Sequence, residues 1–260
     1  MARGGSICAA ICGALLLATV TPGLAGPADY RALTLGGYPV RWLPSGPTER
    51  IVLSYKFADH EINQPHAINC KGLRPPTTVL RTSGIDRDAF RDAFVAAFHR
   101  WRDVADLTFV EAAPGEKANI IVGEQIDPTG FAFTNLDLAD EPRNGIRPIV
   151  GASICLNPKR HWKIGYDGNL AVYDLVHTFA HEIGHVIGLD HPVGRAHLMS
   201  FRYSESLSGL SEGDRLGAVA IYGPSRLRSE IVAMPAPNGS PEAWTITTTI
   251  GRSIDGGSAD

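Results

Sequence analysis

One stretch of eleven residues, His181-Glu182-Ile183-Gly184-His185-Val186-Ile187-Gly188-Leu189-Asp190-His191, constrains this chain more than any other feature. His181 and His185 are four apart, so on a helix they share a face and can present ring nitrogens to a single ion. A third ligand two turns farther along a straight helix would lie too far away to join them. Gly188 removes that difficulty. Without a Cβ it enters the left-handed conformation, ends the helix and turns the chain back, so that His191 reaches the ion from another side. Three neutral imidazoles with an open fourth position are the donor set of a catalytic zinc. Glu182 is rotated by roughly 100° from His181 on a helix and stands beside the ion, where a carboxylate suits the role of general base on water.

With the glycine and the third histidine at these offsets, the motif resembles that of the metzincin zinc endopeptidases, which carry a methionine turn downstream. Ala196-His197-Leu198-Met199-Ser200 lies at suitable spacing, and Met199 is the candidate. Within that clan the chain is most similar to the matrixins. The resemblance rests on residues 175–191, on Leu210-Ser211-Glu212-Gly213-Asp214 running to Ile221-Tyr222-Gly223, and on Tyr38-Pro39-Val40-Arg41-Trp42, and it covers roughly residues 38–224. It implies an α+β, zincin-like domain with a twisted mixed sheet, an active-site helix and a C-terminal helix.

The chain has 260 residues and a net charge of −3, with acids and bases interspersed, which gives no nucleic-acid footprint. Residues 1–25 read as a secretory signal peptide. Arg3 precedes an apolar run through Leu15-Leu16-Leu17-Ala18, and Gly23-Leu24-Ala25 supplies a small-residue cleavage site. The run is short for a membrane span, and no other stretch approaches one. A secreted or periplasmic, monomeric product is therefore expected. Residues 26–224 read as the metallopeptidase domain, and residues 225–260, rich in Pro, Gly, Ser and Thr, as a flexible tail. Cys70 and Cys155 remain after loss of the leader, and three states are open to them. Compartment and parity allow a disulfide. Cys70 as a thiolate latch on the zinc would follow matrixin pro-segments, but Asn69-Cys70-Lys71-Gly72 departs from their sequence. Two free thiols are the third state.

Alternation and β-branching make residues 51–57 a strand. Residues 58–84 read as an inserted surface loop, punctuated by Pro65, Gly72, Pro75 and Pro76. From Asp86, an expected N-cap, Phe90, Phe94, Phe98 and Trp101 recur at helical spacing as a core stripe that ends near Val104. Residues 107–110, 118–122, 129–134 and 148–156 read as further strands. Asp174 is expected to cap a helix over about 175–189. Ser211 and Asp214 form a capping box for a last helix whose inner face is read as Leu216, Val219 and Ala220. His177 lies one turn before His181, but a fourth imidazole would close the site, so it is not read as a ligand. His60, His66, His161 and His197 are read as surface residues.

The resemblance also assigns residues 129–134 as the edge strand with which an extended substrate pairs, Ala132 making the backbone contact. Tyr203 matches the tyrosine on the wall of the S1′ pocket. Phe131 and Ile154 stand where the family places histidines of a second, structural zinc, so that ion is not expected. The family's calcium-binding acidic run is replaced by Leu156-Asn157-Pro158-Lys159. Asp137, Asp140 and Glu141 are the remaining calcium candidates, with a solvated acidic loop as the alternative. Phe201 stands where astacins and serralysins carry a tyrosine that approaches the metal, and it has no hydroxyl. These readings describe a secreted zinc-dependent endopeptidase acting on a protein or peptide substrate. Zinc would be held by His181, His185 and His191, with Glu182 as base. A non-catalytic zinc-containing binding module and a zinc hydrolase of a non-protein substrate are the rivals.

Overall fold

The computed structural model describes residues 29–46, 49–194 and 196–226; the expected leader and nearly all of the expected tail lie outside the described residues. The strands are β1 (Arg31–Ala32), β2 (Thr34–Leu35), β3 (Tyr38–Arg41), β4 (Ile51–Phe57), β5 (Ile62–Asn63), β6 (Gly72–Arg74), β7 (Leu107–Glu111), β8 (Ile120–Gln125), β9 (Ala132–Leu138), β10 (Arg147–Leu156), β11 (Trp162–Lys163), β12 (Tyr173–Asp174) and β13 (Leu189–Asp190). The helices are α1 (Thr77–Ser83), α2 (Arg87–Arg102), α3 (Leu175–Val186) and α4 (Glu212–Tyr222). None of the described helices is long and apolar enough to cross a membrane.

Strands β7, β4, β8 and β10 lie side by side and parallel, and β9 pairs antiparallel with the far side of β10. Parallel neighbours cannot be joined by a tight turn, and α2 is the crossover that β4 and β7 require. The resulting mixed sheet with an active-site helix and a C-terminal helix is the α+β architecture expected from the sequence. The aromatic stripe of α2 is buried: Phe90, Phe94, Phe98 and Trp101 are at most 2% exposed. Phe94 meets Tyr55 of β4 at 5.2 Å and Phe179 of α3 at 4.9 Å between ring centroids, both edge to face. One face of α2 thus ties the sheet to α3.

Local capping chemistry explains the helix starts. The side chains of Asp86, Asp174 and Ser211 accept the amides of Ala89, His177 and Asp214, satisfying donors that a helix N-terminus leaves open. Strand β9 runs to Leu138, farther than the alternation of residues 129–134 suggests, because it tracks β10 through a bulge between Ile149 and Gly151.

Two readings need correction. Residues 58–84 are an excursion with structure of its own: β5 and β6 form an antiparallel pair, β6 joins β8, and α1 follows. Pro75 and Pro76 introduce a helix there instead of marking a loop. Its start has no side-chain cap of its own; the carboxylate of Glu124 accepts the Thr78 and Val79 amides at 2.7 and 2.8 Å. On α4 the buried face is Gly213, Asp214, Gly217 and Ala218, whereas Leu216 is 42% exposed. The small residues face inward because another chain segment passes against them. A Cβ on Gly213 would lie 2.2 Å from the carbonyl oxygen of Asp29, and one on Gly217 would lie 2.8 Å from Leu189.

Cys70 and Cys155 are joined in a disulfide, so neither the latch nor the free-thiol reading describes this state. At the other end of the domain, Ser225 is buried and donates its amide to the Val104 carbonyl at 3.1 Å, and Arg226 pairs with Asp106 at 2.8 Å.

Candidate metal centre and active site

Helix α3 carries His181, Glu182 and His185, and its end is set by Gly188. That residue has φ +88, and a Cβ there would meet the Val40 carbonyl oxygen at 2.3 Å, so both backbone conformation and space call for glycine. The chain leaves the turn as β13, which β1 holds in antiparallel register; Leu33 donates its amide to the Gly188 carbonyl at 2.8 Å. Arg31 and Asp190 add an ion pair at 3.0 Å. His191 follows directly and returns to the other two imidazoles. Ring centroids of His181, His185 and His191 lie 4.7 to 5.1 Å apart.

Hydrogen bonds orient the rings. The Nδ1 of His181 lies 2.8 Å from the Leu198 carbonyl, and that of His185 lies 2.8 Å from the Leu189 carbonyl. A carbonyl only accepts, so each Nδ1 carries the proton and each Nε2 keeps its lone pair. Burial holds His181 down to about 4 and His185 well below the usual imidazole range, while burial lowers His191 as well. All three are therefore neutral near pH 7, the state a metal requires of imidazole.

The fit to zinc can be tested by distance. Two nitrogens bound at 2.0–2.1 Å to one tetrahedral ion stand roughly 3.3 Å apart. His181 Nε2 and His191 Nε2 are 3.1 Å apart. One ligand atom from each of the three histidines falls within 4.8 Å of the others, and no other group of His, Cys, Asp and Glu gathers in this way among the described residues. Asp137, Asp140 and Glu141 form no such group. The donor set suits zinc in number, type and spacing.

Glu182 is only 6% exposed. Burial pushes its carboxyl up to about 7, against the opposing pull of a hydrogen bond from Thr134. The Thr134 hydroxyl lies 2.8 Å from Glu182 Oε2 and 3.0 Å from the Glu182 carbonyl oxygen. Sequence reasoning did not single out Thr134, though a signal exists. Side chains alternate along β9, and Thr134 is the one polar residue in the row Ala132, Thr134, Leu136, Leu138, whose apolar members pack on the core.

Met199 is 1% exposed, and its sulfur occupies the place a Cβ on Gly184 would take. Asp214 of α4 accepts the amides of Leu198 and Met199 at 2.8 and 3.2 Å and so fixes this turn. Sequence reasoning saw Asp214 only as a helix cap. Two indoles grip α3 from outside: Trp101 donates to the Ala180 carbonyl at 2.8 Å and Trp42 to the Val186 carbonyl at 2.9 Å.

The remaining candidates divide. Ala132 opens β9 opposite Leu156, and β9 pairs only with β10 among the described strands, so its other edge is unpaired. Tyr203 packs at the start of α3, about seven residues or roughly 10 Å along the helix from His181. Its ring stacks on Tyr173 at 4.3 Å and meets His177 edge-on at 4.8 Å. Its hydroxyl accepts the Asp174 amide and donates to Glu205. Phe131 stacks on Tyr173 at 4.0 Å beneath the Arg160 guanidinium, and Ile154 is fully buried. His177 pairs with the Tyr166 hydroxyl at 3.0 Å and stands outside the three-histidine group. His60, His66 and His161 are exposed. His197 is not a surface residue: its side chain is 8% exposed, bridging Asp29 at 2.8 Å and Ser211 at 2.9 Å. Phe201, 83% exposed, lies edge-on to His191 at 5.3 Å.

The family description Matrixin matches residues 77–223. Interstitial collagenase of Sus scrofa is 31% identical over 150 residues, covering 55% of this chain and 30% of the relative. Stromelysin-3 of Rattus norvegicus is 32% identical over 181 residues, covering 63% of this chain and 32% of the relative. The chain thus spans about a third of the length of the curated relatives it matches. With the match running over more than half of its length and across the entire three-histidine site, this chain belongs to the matrixin family.

Proposed function

We propose that this chain is an exported zinc-dependent endopeptidase. The observation that carries the reading is three imidazoles whose ligand nitrogens converge, with a buried carboxylate, Glu182, next in sequence to the first of them and outside the ligand group. His181, His185 and His191 would hold the ion. Zinc, when bound, supplies a Lewis acid for a carbonyl and lowers the pKa of water from 15.7 towards about 7. Glu182 takes the proton of the attacking water on its carboxylate and returns it to the departing amine nitrogen. The unpaired edge of β9, beginning at Ala132, offers main-chain groups to an extended peptide, which sets register. Tyr203, locked by Tyr173, Asp174 and Glu205, would form a rigid wall on the side of the site nearest the start of α3. The Cys70–Cys155 disulfide and the leader-like first 25 residues support export, since disulfides persist in oxidising compartments.

The test is hydrolysis of casein and of a peptide library by purified protein, with chelator added and zinc then restored. Activity that disappears and returns with the metal is the expected result. A fully zinc-loaded sample inert towards every polypeptide would overturn the reading and favour a zinc-bearing binding module or a hydrolase of another substrate.

A further inference from the structure

We propose that Thr134 is the positioning residue that aims the Glu182 carboxylate, resting on the reading of Glu182 as the base. The hydroxyl has one proton and two acceptors on the same residue: Oε2 at 2.8 Å and the main-chain carbonyl oxygen at 3.0 Å. A hydrogen bond to a carboxylate is roughly twice as strong as a neutral one, so the shorter contact takes most of the proton. Thr134 is also β-branched, and its χ1 is stiff, so the hydroxyl is delivered in a defined direction. Among the described residues it is the one side chain that hydrogen-bonds that carboxylate.

The placement matters because Glu182 and Thr134 come from different elements. Glu182 has the rotamer freedom of a long side chain, and the other side chains in the Thr134 row of β9, Ala132, Leu136 and Leu138, have no group to donate. Strand β9 is in turn held by unbroken register with β10 from Ala132 to Asp137, where Thr134 stands opposite Ile154, 0% exposed. The aim of the base is therefore referenced to the sheet, and to the strand whose free edge faces substrate, instead of to α3 alone. A base that must stay within hydrogen-bond reach of one proton loses rate steeply when it wanders, by as much as 10²-fold for an ångström.

The experiment uses the full chain, zinc-loaded with metal content measured, as Thr134→Val, Thr134→Ser and the parent. The expected result is a fall in kcat of about tenfold or more in Thr134→Val, with KM and zinc content within twofold of the parent, and recovery to within about threefold in Thr134→Ser. A crystal structure of zinc-loaded Thr134→Val supplies a readout apart from turnover: the Glu182 carboxylate is expected to leave its parental position or split between rotamers. An unchanged kcat, a Ser variant as poor as Val, a loss confined to KM, or an undisturbed Glu182 carboxylate would each overturn the proposal. If Thr134→Val does not fold, Thr134→Ser and Thr134→Ala carry the same comparison of hydroxyl against none. A parent inert on all peptides would instead sink the peptidase reading, leaving the crystallographic arm to decide the positioning role.

Discussion

The metal centre and the excursion over residues 58–84 are built on opposite plans. All three imidazoles of the centre fall within residues 181–191, and His185 is oriented by a carbonyl only four residues away. The excursion is held from afar. Cys70 is joined to Cys155 across 85 residues, Arg74 pairs with Glu124 across 50, and Asn135 reaches the Cys70 carbonyl at 2.9 Å and Gln64 at 3.2 Å. Glu124, 1% exposed, holds both Arg74 and the start of α1. The difference teaches that the spacing of metal ligands is written locally, while the excursion is held by whatever partners the sheet brings near it.

That contrast can be broken from either side. His185→Ala should abolish stoichiometric zinc binding while leaving the Cys70–Cys155 disulfide intact, as metal analysis and thiol titration of the purified protein would report. Glu182→Gln should keep zinc and lose about 10²- to 10⁴-fold in peptide hydrolysis, the range for a general base; turnover near the parental value would refute that role. Cys70→Ser should act in the reverse sense. Opening so long a loop costs about 2–5 kcal/mol in urea unfolding, with zinc retained at full stoichiometry. Loss of zinc in that variant would mean the two regions are not separable.

The smallest effect concerns His177, one turn from the ligands. Burial lowers it to about 3 from an ordinary value of 6.5. The unfolded chain then binds a proton that the folded chain refuses, so stability is full above about pH 6.5 and falls as pH drops towards the folded value. Each pH unit in that window costs up to about 1.4 kcal/mol. His177→Asn should flatten the acid limb of chelated protein by about 2 kcal/mol between pH 7 and 5, measured by urea unfolding at each pH. An identical slope in parent and variant would show that the buried imidazole is not the source.

What could be read beforehand follows the same division. Helical spacing identified the aromatic stripe of α2, and Asp86, Asp174 and Ser211 announced three helix starts through local cap chemistry. The motif and its glycine located the histidine cluster, because the spacing of the imidazoles and the positive φ at Gly188 act within a few residues. The start of α1 was unreadable, since its cap is supplied by Glu124 from a distant strand. Leu216 is exposed despite its apolar character and helical spacing, because the segments packed on Gly213 and Gly217 turn the glycine face inward. Nothing local marks His197 as buried, because its partner, Asp29, lies 168 positions away. Thr134 escaped for a related reason: threonine is an ordinary strand residue, and only the arrival of α3 gives its hydroxyl a carboxylate to meet.

The indoles of Trp42 and Trp101 both end on main-chain oxygens of α3, one near its middle and one at its last residue. Separation of that helix from the rest of the domain would strand two ring N–H groups together. Their emission would shift to the red at that moment, so the protein carries a built-in optical gauge of whether its ligand-bearing helix is seated.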